Sequence, residues 1–188
     1  MPTLLIIIAS TRPGRAGLPV ARWFEDAARR HGGFDVQVAD LAEVNLPLLD
    51  EPHHPRLSQY THEHTRAWSR IVSAADAFAF VMPEYNYAMT APLKNALDYL
   101  SNEWHYKPVG LVSYGGLSGG LRAAQMVKEV VTTLRMMPLP EGVAIPFVAQ
   151  HITDGTFTPP ELATQAARTM LDELVRWAGA LGTLRQDR

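Results

Sequence analysis

Apolar residues along the chain fall into short continuous runs that alternate with amphipathic stretches. Runs such as 3–9 and 77–82 are almost entirely apolar and end at turn-forming residues, which is typical of strands buried on both faces of a parallel sheet. Between the runs, apolar residues recur every three or four positions, as in helices with one buried face. The predicted strands are 3–9, 34–41, 77–82, 109–113 and 143–148. The predicted helices are 18–30, one that begins near Tyr60 and buries Trp68, Ile71 and Val72, one capped by Thr90, 121–136, and one from the Pro159-Pro160 pair to about Leu181.

This alternation of five strands with five helices predicts a single α/β domain over residues 1–188. The expected architecture is a three-layer, doubly wound, five-stranded parallel sheet. A proline-rich loop, 45–58, separates the second strand from the second helix. In such sheets ligands bind beyond the carboxyl ends of the strands, where the strand order reverses. The loops that follow the first, third and fourth strands are therefore the places to look for a site.

Composition narrows the range of possible functions. The chain has 17 basic and 19 acidic residues, a net charge of −2, so no large positive field would attract a nucleic acid or an anionic membrane. Cysteine is absent, which excludes disulfides, thiolate chemistry and cysteine-bound metals, so that redox chemistry would need an organic cofactor. The first apolar run is too short for a signal-peptide core or a membrane span. We expect a cytoplasmic protein with neither a nucleic-acid partner nor a membrane partner.

The loop after the first strand has the composition of a phosphate site. Ser10, Thr11, Arg12 and Arg15 offer hydroxyl and guanidinium groups, and Gly17 frees backbone N–H groups at the start of a helix. The loop matches neither GxGxxG nor GxxxxGK[ST], so a terminal monophosphate fits better than a dinucleotide or a nucleoside triphosphate. On this loop alone, a turn whose arginines face water explains the residues equally well.

The other two loops have the composition of a site for a flat ring. Residues 83–87, Pro-Glu-Tyr-Asn-Tyr, place two aromatic rings and an amide at a strand end. Residues 115–120 contain four glycines, which would let the backbone approach a flat ligand closely. Either loop alone could be an ordinary turn or a flexible lid. All three loops are nevertheless expected at one edge of the sheet.

These loops resemble those of the NADPH-dependent FMN reductase family. The resemblance is carried by Ser10-Thr11-Arg12, by 83–86 followed by Ala-Pro-Leu-Lys-Asn-Ala-Leu-Asp at 91–98, and by the glycine pairs at 115–116 and 119–120. It covers most of the chain and implies a flavodoxin-like fold that binds FMN and uses NADPH or NADH as electron donor. By position it implies Ser10, Thr11, Arg12, Gly17 and Leu18 around the phosphate, with Pro83, Glu84, Tyr85, Asn86, Tyr87, Ser113, Tyr114, Gly115 and Gly116 along the flavin. The chain departs from many relatives at 16–19, where they carry serine or asparagine, and at Tyr87, where a small residue is common; the larger side chain would narrow the acceptor pocket.

The resemblance implies an oxidoreductase that takes hydride from a reduced nicotinamide and reduces a flavin, a quinone or another small acceptor in ping-pong alternation. No catalytic side chain is expected, because the flavin would supply the chemistry. The alternative is a flavodoxin-like FMN-binding electron carrier that acts with a protein partner. The balanced charge weakly favours the enzyme, since docking carriers use a one-signed face. The family also implies a homodimer or homotetramer with 93–101 near the interface, and an apolar stripe of Leu93, Leu97 and Leu100 agrees with that.

Two other kinds of site fit the sequence less well. His53, His54, His62 and His64 are close along the chain, but His62 and His64 would point to different faces of the predicted helix, so no metal site is expected. The serine in 116–119 lacks the GxSxG spacing of a hydrolase nucleophile.

Overall fold

The computed structural model describes residues 1–186, which form a five-stranded sheet with helices on both faces. The strands of the sheet are β1 (Thr3–Ile8), β2 (Asp35–Asp40), β3 (Ala77–Pro83), β4 (Pro108–Tyr114) and β5 (Met137–Ile145). The helices are α1 (Gly17–His31), α2 (Leu41–Val44), α3 (Glu63–Ser73), α4 (Ala91–Asp98), α5 (Leu121–Thr133) and α6 (Glu161–Gln186). The strand order is β2-β1-β3-β4-β5 and every neighbouring pair is parallel. The predicted doubly wound, flavodoxin-like sheet is confirmed.

Side chains of the central strands alternate between two cores. Leu4 and Ile6 of β1 pack with α1 and α6, whereas Leu5 and Ile7 pack with α3, α4 and α5. The central strands are buried on both faces for this reason, and their sequences are almost continuously apolar. On the first face α6 lies directly on β4 at Gly110, where a Cβ would come 2.6 Å from Sδ of Met170.

Several boundaries differ from the prediction for local reasons. β5 begins at Met137 rather than near Val143, although it contains two prolines, because an edge strand has one side that makes no ladder hydrogen bonds. α5 ends at Thr133 rather than Met136, since the chain reverses through Arg135 with φ 55°. The prediction that Ile71 is buried is wrong: it is exposed on α3, while Trp68 and Val72 are buried.

Two short elements were missing from the prediction. α2 has a single turn, which Asp40 caps by accepting a hydrogen bond from the Ala42 N–H at 3.0 Å. After β5, an antiparallel hairpin joins β6 (Ile152–Thr153) to β7 (Thr156–Phe157). Elements this short show no periodicity in a sequence.

α4 begins as predicted but uses its apolar stripe within the fold. Oγ1 of Thr90 accepts a hydrogen bond from the Leu93 N–H at 3.3 Å and donates one to the Ala9 carbonyl at 2.8 Å. Leu93, Leu97 and Leu100 are all buried in the second core. The stripe is therefore not available to a partner subunit.

The proline-rich loop is confirmed and lies across the start of α3 and the end of α4. We call residues 45–61 the strap. The Glu51 carboxylate accepts hydrogen bonds from the N–H and Oγ1 of Thr61, both at 2.8 Å, and from the His62 N–H at 3.0 Å. The Tyr99 hydroxyl donates to Asp50 at 2.9 Å. Two carboxylates thus fasten a segment that has little regular structure. Among the described residues, no helix is both long and apolar enough to cross a bilayer.

We predict that acid releases the strap. Burial of Glu51 opposes its ionisation, but hydrogen bonds from Thr61 and His62 outweigh it and lower the pKa from 4.5 to about 2. Because the folded pKa is the lower one, the stabilisation is complete above pH 4.5 and is lost as the pH falls towards 2. Hydrogen exchange, corrected for intrinsic rates, should show protection of residues 45–61 disappearing over that interval.

Glu51→Gln should show the released strap already at neutral pH, and Glu129→Gln on the exposed side of α5 is the matched control. Equal protection of the strap in both variants would contradict this account.

Candidate functional site

Three loops converge at the carboxyl edge of the sheet. They follow β1, β3 and β4, which are adjacent in the sheet, and the strand order reverses between β1 and β3. The Ser10 Oγ and Tyr85 Oη atoms are 2.9 Å apart and form a hydrogen bond across this reversal point. The loops predicted to form one site therefore lie together.

The β1 loop exposes some predicted ligands and buries others. Thr11 and Arg12 are exposed, whereas Ser10 is fully buried under Tyr85. Arg12 forms no ion pair within residues 1–186, and its carbonyl accepts the Arg15 N–H at 3.2 Å in a turn that uses Gly14 at φ 69°. A cleft of about 410 Å³ opens beside Thr11, between α2, α4 and the strap.

Arg15 differs from the expectation that it would face a phosphate. Its guanidinium group forms an ion pair with Asp40 at the end of β2, and both side chains are largely buried. Asp40 is also the cap of α2. Arg15 therefore joins β2 and α2 to the β1 loop, and Arg12 is the guanidinium of this loop that remains available to a ligand.

The start of α1 has the properties of an anion site. The helix begins at Gly17 without a side-chain cap and without an acidic residue in its first turn. Within residues 1–186, the N–H groups of Gly17 and Leu18 have no hydrogen-bond partner. A Cβ on Gly17 would lie 2.6 Å from the Tyr114 hydroxyl. That hydroxyl is buried and has no hydrogen-bond partner among the described residues. Burial, and then the nearby Tyr85, raises the pKa of Tyr114, so the hydroxyl keeps its proton and can donate it.

The β3 loop is a tight hairpin turn with exposed aromatic residues. Beyond the buried Pro83, Tyr85 and Ala88 exchange backbone hydrogen bonds of 3.1 and 2.9 Å. Asn86 and Tyr87 between them have φ values of 51° and 68°. Both tyrosines and the asparagine are exposed, as a site for a flat ring requires.

Glu84 has a structural role that differs from the expected flavin contact. Its carboxylate binds Nε of Arg122 at 2.6 Å and accepts the Arg122 N–H at 3.0 Å at the start of α5. Burial opposes ionisation, but hydrogen bonds from Arg122, Ser118 and the Ala123 N–H lower the pKa of Glu84 overall. The guanidinium carbon of Arg122 lies 3.8 Å from the ring centroid of Tyr87. Arg122 was not predicted, because it is far from Glu84 along the chain and only the fold brings the two together.

The β4 loop is held from below by Ser113. Its hydroxyl is buried and donates to the Gly119 carbonyl at 2.9 Å, so this group shapes the loop from inside the fold. Gly116 is exposed and Gly115 partly so. The Gly116 carbonyl accepts the N–H of Phe147, an exposed aromatic residue from the segment after β5 that the sequence analysis missed.

The histidines are arranged differently from the prediction. His62 precedes α3, and its ring stacks on that of His64 with 5.1 Å between centroids. Nε2 of His64 lies 3.0 Å from Oδ1 of Asp50. The expectation that the two rings point to different faces is wrong. Within the described part of the chain, no three or more histidine, aspartate or glutamate side chains form a group that could hold a metal ion.

Comparison with known proteins identifies the family. The model of the NADPH-dependent FMN reductase family matches residues 2–150. The chain belongs to this family. It is 39% identical over 160 residues to an NAD(P)H-dependent FMN reductase of Schizosaccharomyces pombe, with 84% of this chain and 80% of the relative covered. It is 33% identical over 146 residues to an NADPH:quinone oxidoreductase of Arabidopsis thaliana, with 75% and 65% covered.

A solved structure agrees on the fold. The flavoenzyme FerB of Paracoccus denitrificans, an NAD(P)H:(acceptor) oxidoreductase, superposes with a TM-score of 0.74 at 20% identity, covering 96% of this chain and 98% of FerB. Membership in the FMN reductase family makes this protein an oxidoreductase that uses FMN and a reduced nicotinamide and acts on small-molecule acceptors. The family favours the enzyme over the electron carrier.

We predict that Arg15→Ala destabilises the fold. It would leave Asp40 buried without its partner, and breaking such a pair costs about 3 kcal/mol or more. For a chain of this length, that corresponds to a fall in Tm of roughly 6–12 °C, measurable by thermal unfolding.

Arg12→Ala is the control, because Arg12 is exposed and unpaired and its loss should change stability by less than about 0.5 kcal/mol. Equal melting temperatures for the two variants would refute the structural role of Arg15.

Proposed function

We propose that the protein binds FMN across the three loops and passes two electrons from NADPH or NADH to a small planar acceptor such as a quinone. The name of the Arabidopsis relative supports the acceptor class. The phosphate would bind at the start of α1, with Thr11, Arg12, Gly17 and Leu18 around it. The flavin ring would lie along the exposed parts of 85–87 and 115–116.

The observation that carries the proposal is the uncapped start of α1 beside a free guanidinium. Unpaired N–H groups, the helix dipole and Arg12 together favour one dianionic group. The unpartnered Tyr114 hydroxyl beneath Gly17 is a further buried donor at the same place. The residues therefore fit a monophosphate, and a side chain at position 17 would collide with the Tyr114 hydroxyl at the start of α1.

Other predicted ligands support the site indirectly in this proposal. Ser10 holds Tyr85, Glu84 holds Arg122 and the start of α5, and Ser113 holds the β4 loop. Arg15 holds β2 against the β1 loop. The Ser10–Tyr85 contact joins two of the loops, and the other three hold each loop to its own strand or to a neighbouring element. The loops are therefore fixed before a ligand arrives, which lowers the entropy lost on binding.

When bound, FMN would supply the redox chemistry by accepting hydride from the nicotinamide and returning electrons to the acceptor. The protein would hold the ring, leave one face open and admit donor and acceptor in turn. We assign no catalytic acid or base, because the flavin would supply the redox chemistry.

Location and assembly are part of the proposal. We infer a cytoplasmic protein, because a chain without cysteine suits a compartment in which disulfides do not form. We also infer a homodimer or homotetramer, as for the family. The apolar stripe of α4 is buried, so another surface has to contact a partner subunit. The strap offers exposed apolar side chains at Leu48, Leu49 and Leu57.

Arg12→Ala should weaken FMN binding by about 10- to 100-fold, because a charge-assisted hydrogen bond contributes about 1.5–3 kcal/mol. Riboflavin, which lacks the phosphate, should bind as before. Quenching of flavin fluorescence during titration of the apoprotein measures both affinities. If both flavins lose affinity equally, Arg12 is not a phosphate ligand.

The FMN-loaded protein should oxidise a reduced nicotinamide without any partner protein. Anaerobic mixing with NADPH or NADH should bleach the flavin absorbance within seconds. With a soluble quinone, initial rates should give parallel double-reciprocal lines, because donor and acceptor use one face in turn. Intersecting lines would mean that both bind together, and bleaching that requires a reductase protein would favour the carrier.

Light scattering should give a mass that is a multiple of the 20.8 kDa chain. Replacing the exposed Leu48 and Leu57 by serine should reduce that mass if the strap contributes to the interface. A mass of one chain at every concentration would refute the assembly.

A further inference from the structure

Tyr87 is held in a backbone conformation that its side chain disfavours. It is the second central residue of the turn closed by Tyr85 and Ala88, and its φ is 68°. A two-residue hairpin turn with positive φ at both central positions favours asparagine first and glycine second. Asn86 fits its position, whereas a bulky aromatic residue at the next position is strained.

The Tyr87 ring is mostly exposed, so its packing does little to offset the cost of this strained conformation. Tyr87 is 68% exposed. Its ring contacts the guanidinium group of Arg122, whose central carbon lies 3.8 Å from the ring centroid. A cation–π contact at an exposed site stabilises a fold only weakly. Glu84 fixes Arg122 in turn, through Nε at 2.6 Å. These contacts orient the ring without burying it.

The oriented ring lies at the rim of the glycine-rich loop. Arg122 is the second residue of α5, directly after Gly119, Gly120 and Leu121. Cβ of Glu84 approaches to 3.8 Å of the position that a Cβ on Gly115 would take. Arg122 covers one face of the Tyr87 ring, and the exposure of the residue leaves the other face open. An open aromatic face beside a flat-ligand site can stack on a second flat ring.

We propose that Tyr87 determines acceptor specificity: its open face stacks on a planar aromatic acceptor and selects it over acceptors that have no flat ring. This inference rests on the proposed function, because it assumes that the acceptor enters over the glycine-rich loop. The strained turn and the Glu84–Arg122 pair are the means by which the fold keeps the ring at the entrance.

The test compares two acceptors with one donor. The FMN-loaded wild type, Tyr87→Asn and Tyr87→Phe are assayed with NADPH and either a naphthoquinone, which is flat and aromatic, or ferricyanide, which is octahedral. Asparagine suits the turn and removes the ring, whereas phenylalanine keeps the ring and removes only the hydroxyl.

In Tyr87→Asn the ratio of kcat/KM for naphthoquinone to that for ferricyanide should fall by roughly 3- to 10-fold, mainly through KM, which is the range expected for loss of one aromatic stack. In Tyr87→Phe the ratio should stay within about twofold of wild type, since the stacking face is kept. Arg122→Gln, which frees the ring, should give an intermediate ratio. The Tm of Tyr87→Asn should not be lower than that of wild type, because asparagine tolerates positive φ.

An unchanged ratio in Tyr87→Asn would overturn the inference, and so would an equal fall in the asparagine and phenylalanine variants. A lower Tm with equal losses for both acceptors would assign the ring to the fold instead. If the wild type oxidises no reduced nicotinamide with either acceptor, the proposed function fails and this inference fails with it. If the wild type is active with both acceptors and the ratio is unchanged in Tyr87→Asn, only the role of Tyr87 is refuted.

Discussion

The burial of both faces of a parallel sheet is the constraint on which the rest of this structure depends. Parallel strands need crossover helices, and those helices cover the sheet on either side, so the central strands meet solvent only through the loops at their ends. The order β2-β1-β3-β4-β5 places the reversal between β1 and β3, and hence three loops of unusual composition beside one another. The topology alone therefore brings the three loops together, whatever side chains they carry.

Polar contacts then fix the shape of the three loops, which the topology has only placed near one another. Each contact pairs a buried or partly buried polar group with a partner from a different loop or element, as with Ser10 and Tyr85, Glu84 and Arg122, or Arg15 and Asp40. A buried group without its partner is costly, so each pair keeps its loop close to one position. Arg12 and the start of α1, where we propose that the phosphate binds, have by contrast no such partner within residues 1–186.

Sequence patterns predicted the parts of the molecule that depend on local periodicity or on composition. The apolar runs gave the central strands, and the three loop compositions located the site. These patterns did not distinguish the residues that we propose to contact a ligand from the residues that hold the loops in place. Arg12 and Arg15 look alike in sequence, and only the position of Asp40 at the end of a different strand distinguishes them. Arg122 and Phe147 were missed for the same reason, because their relation to the site arises from folding and not from spacing. The early start of β5 was missed because two prolines normally argue against a strand, and edge position overrides that rule.

The packing of α6 on β4 makes the terminal helix part of the folding unit. The match to the family model ends at residue 150, before α6 begins. Met170, Leu171 and Leu174 are nevertheless fully buried in the first core, and Gly110 of β4 has no side chain where Met170 lies. A piece of the chain cut at residue 150 would expose to water the face of β4 and β5 that α6 covers. The sheet and the terminal helix are thus one folding unit, and a swap of modules between relatives has to carry the terminal helix with the sheet that it was fitted to.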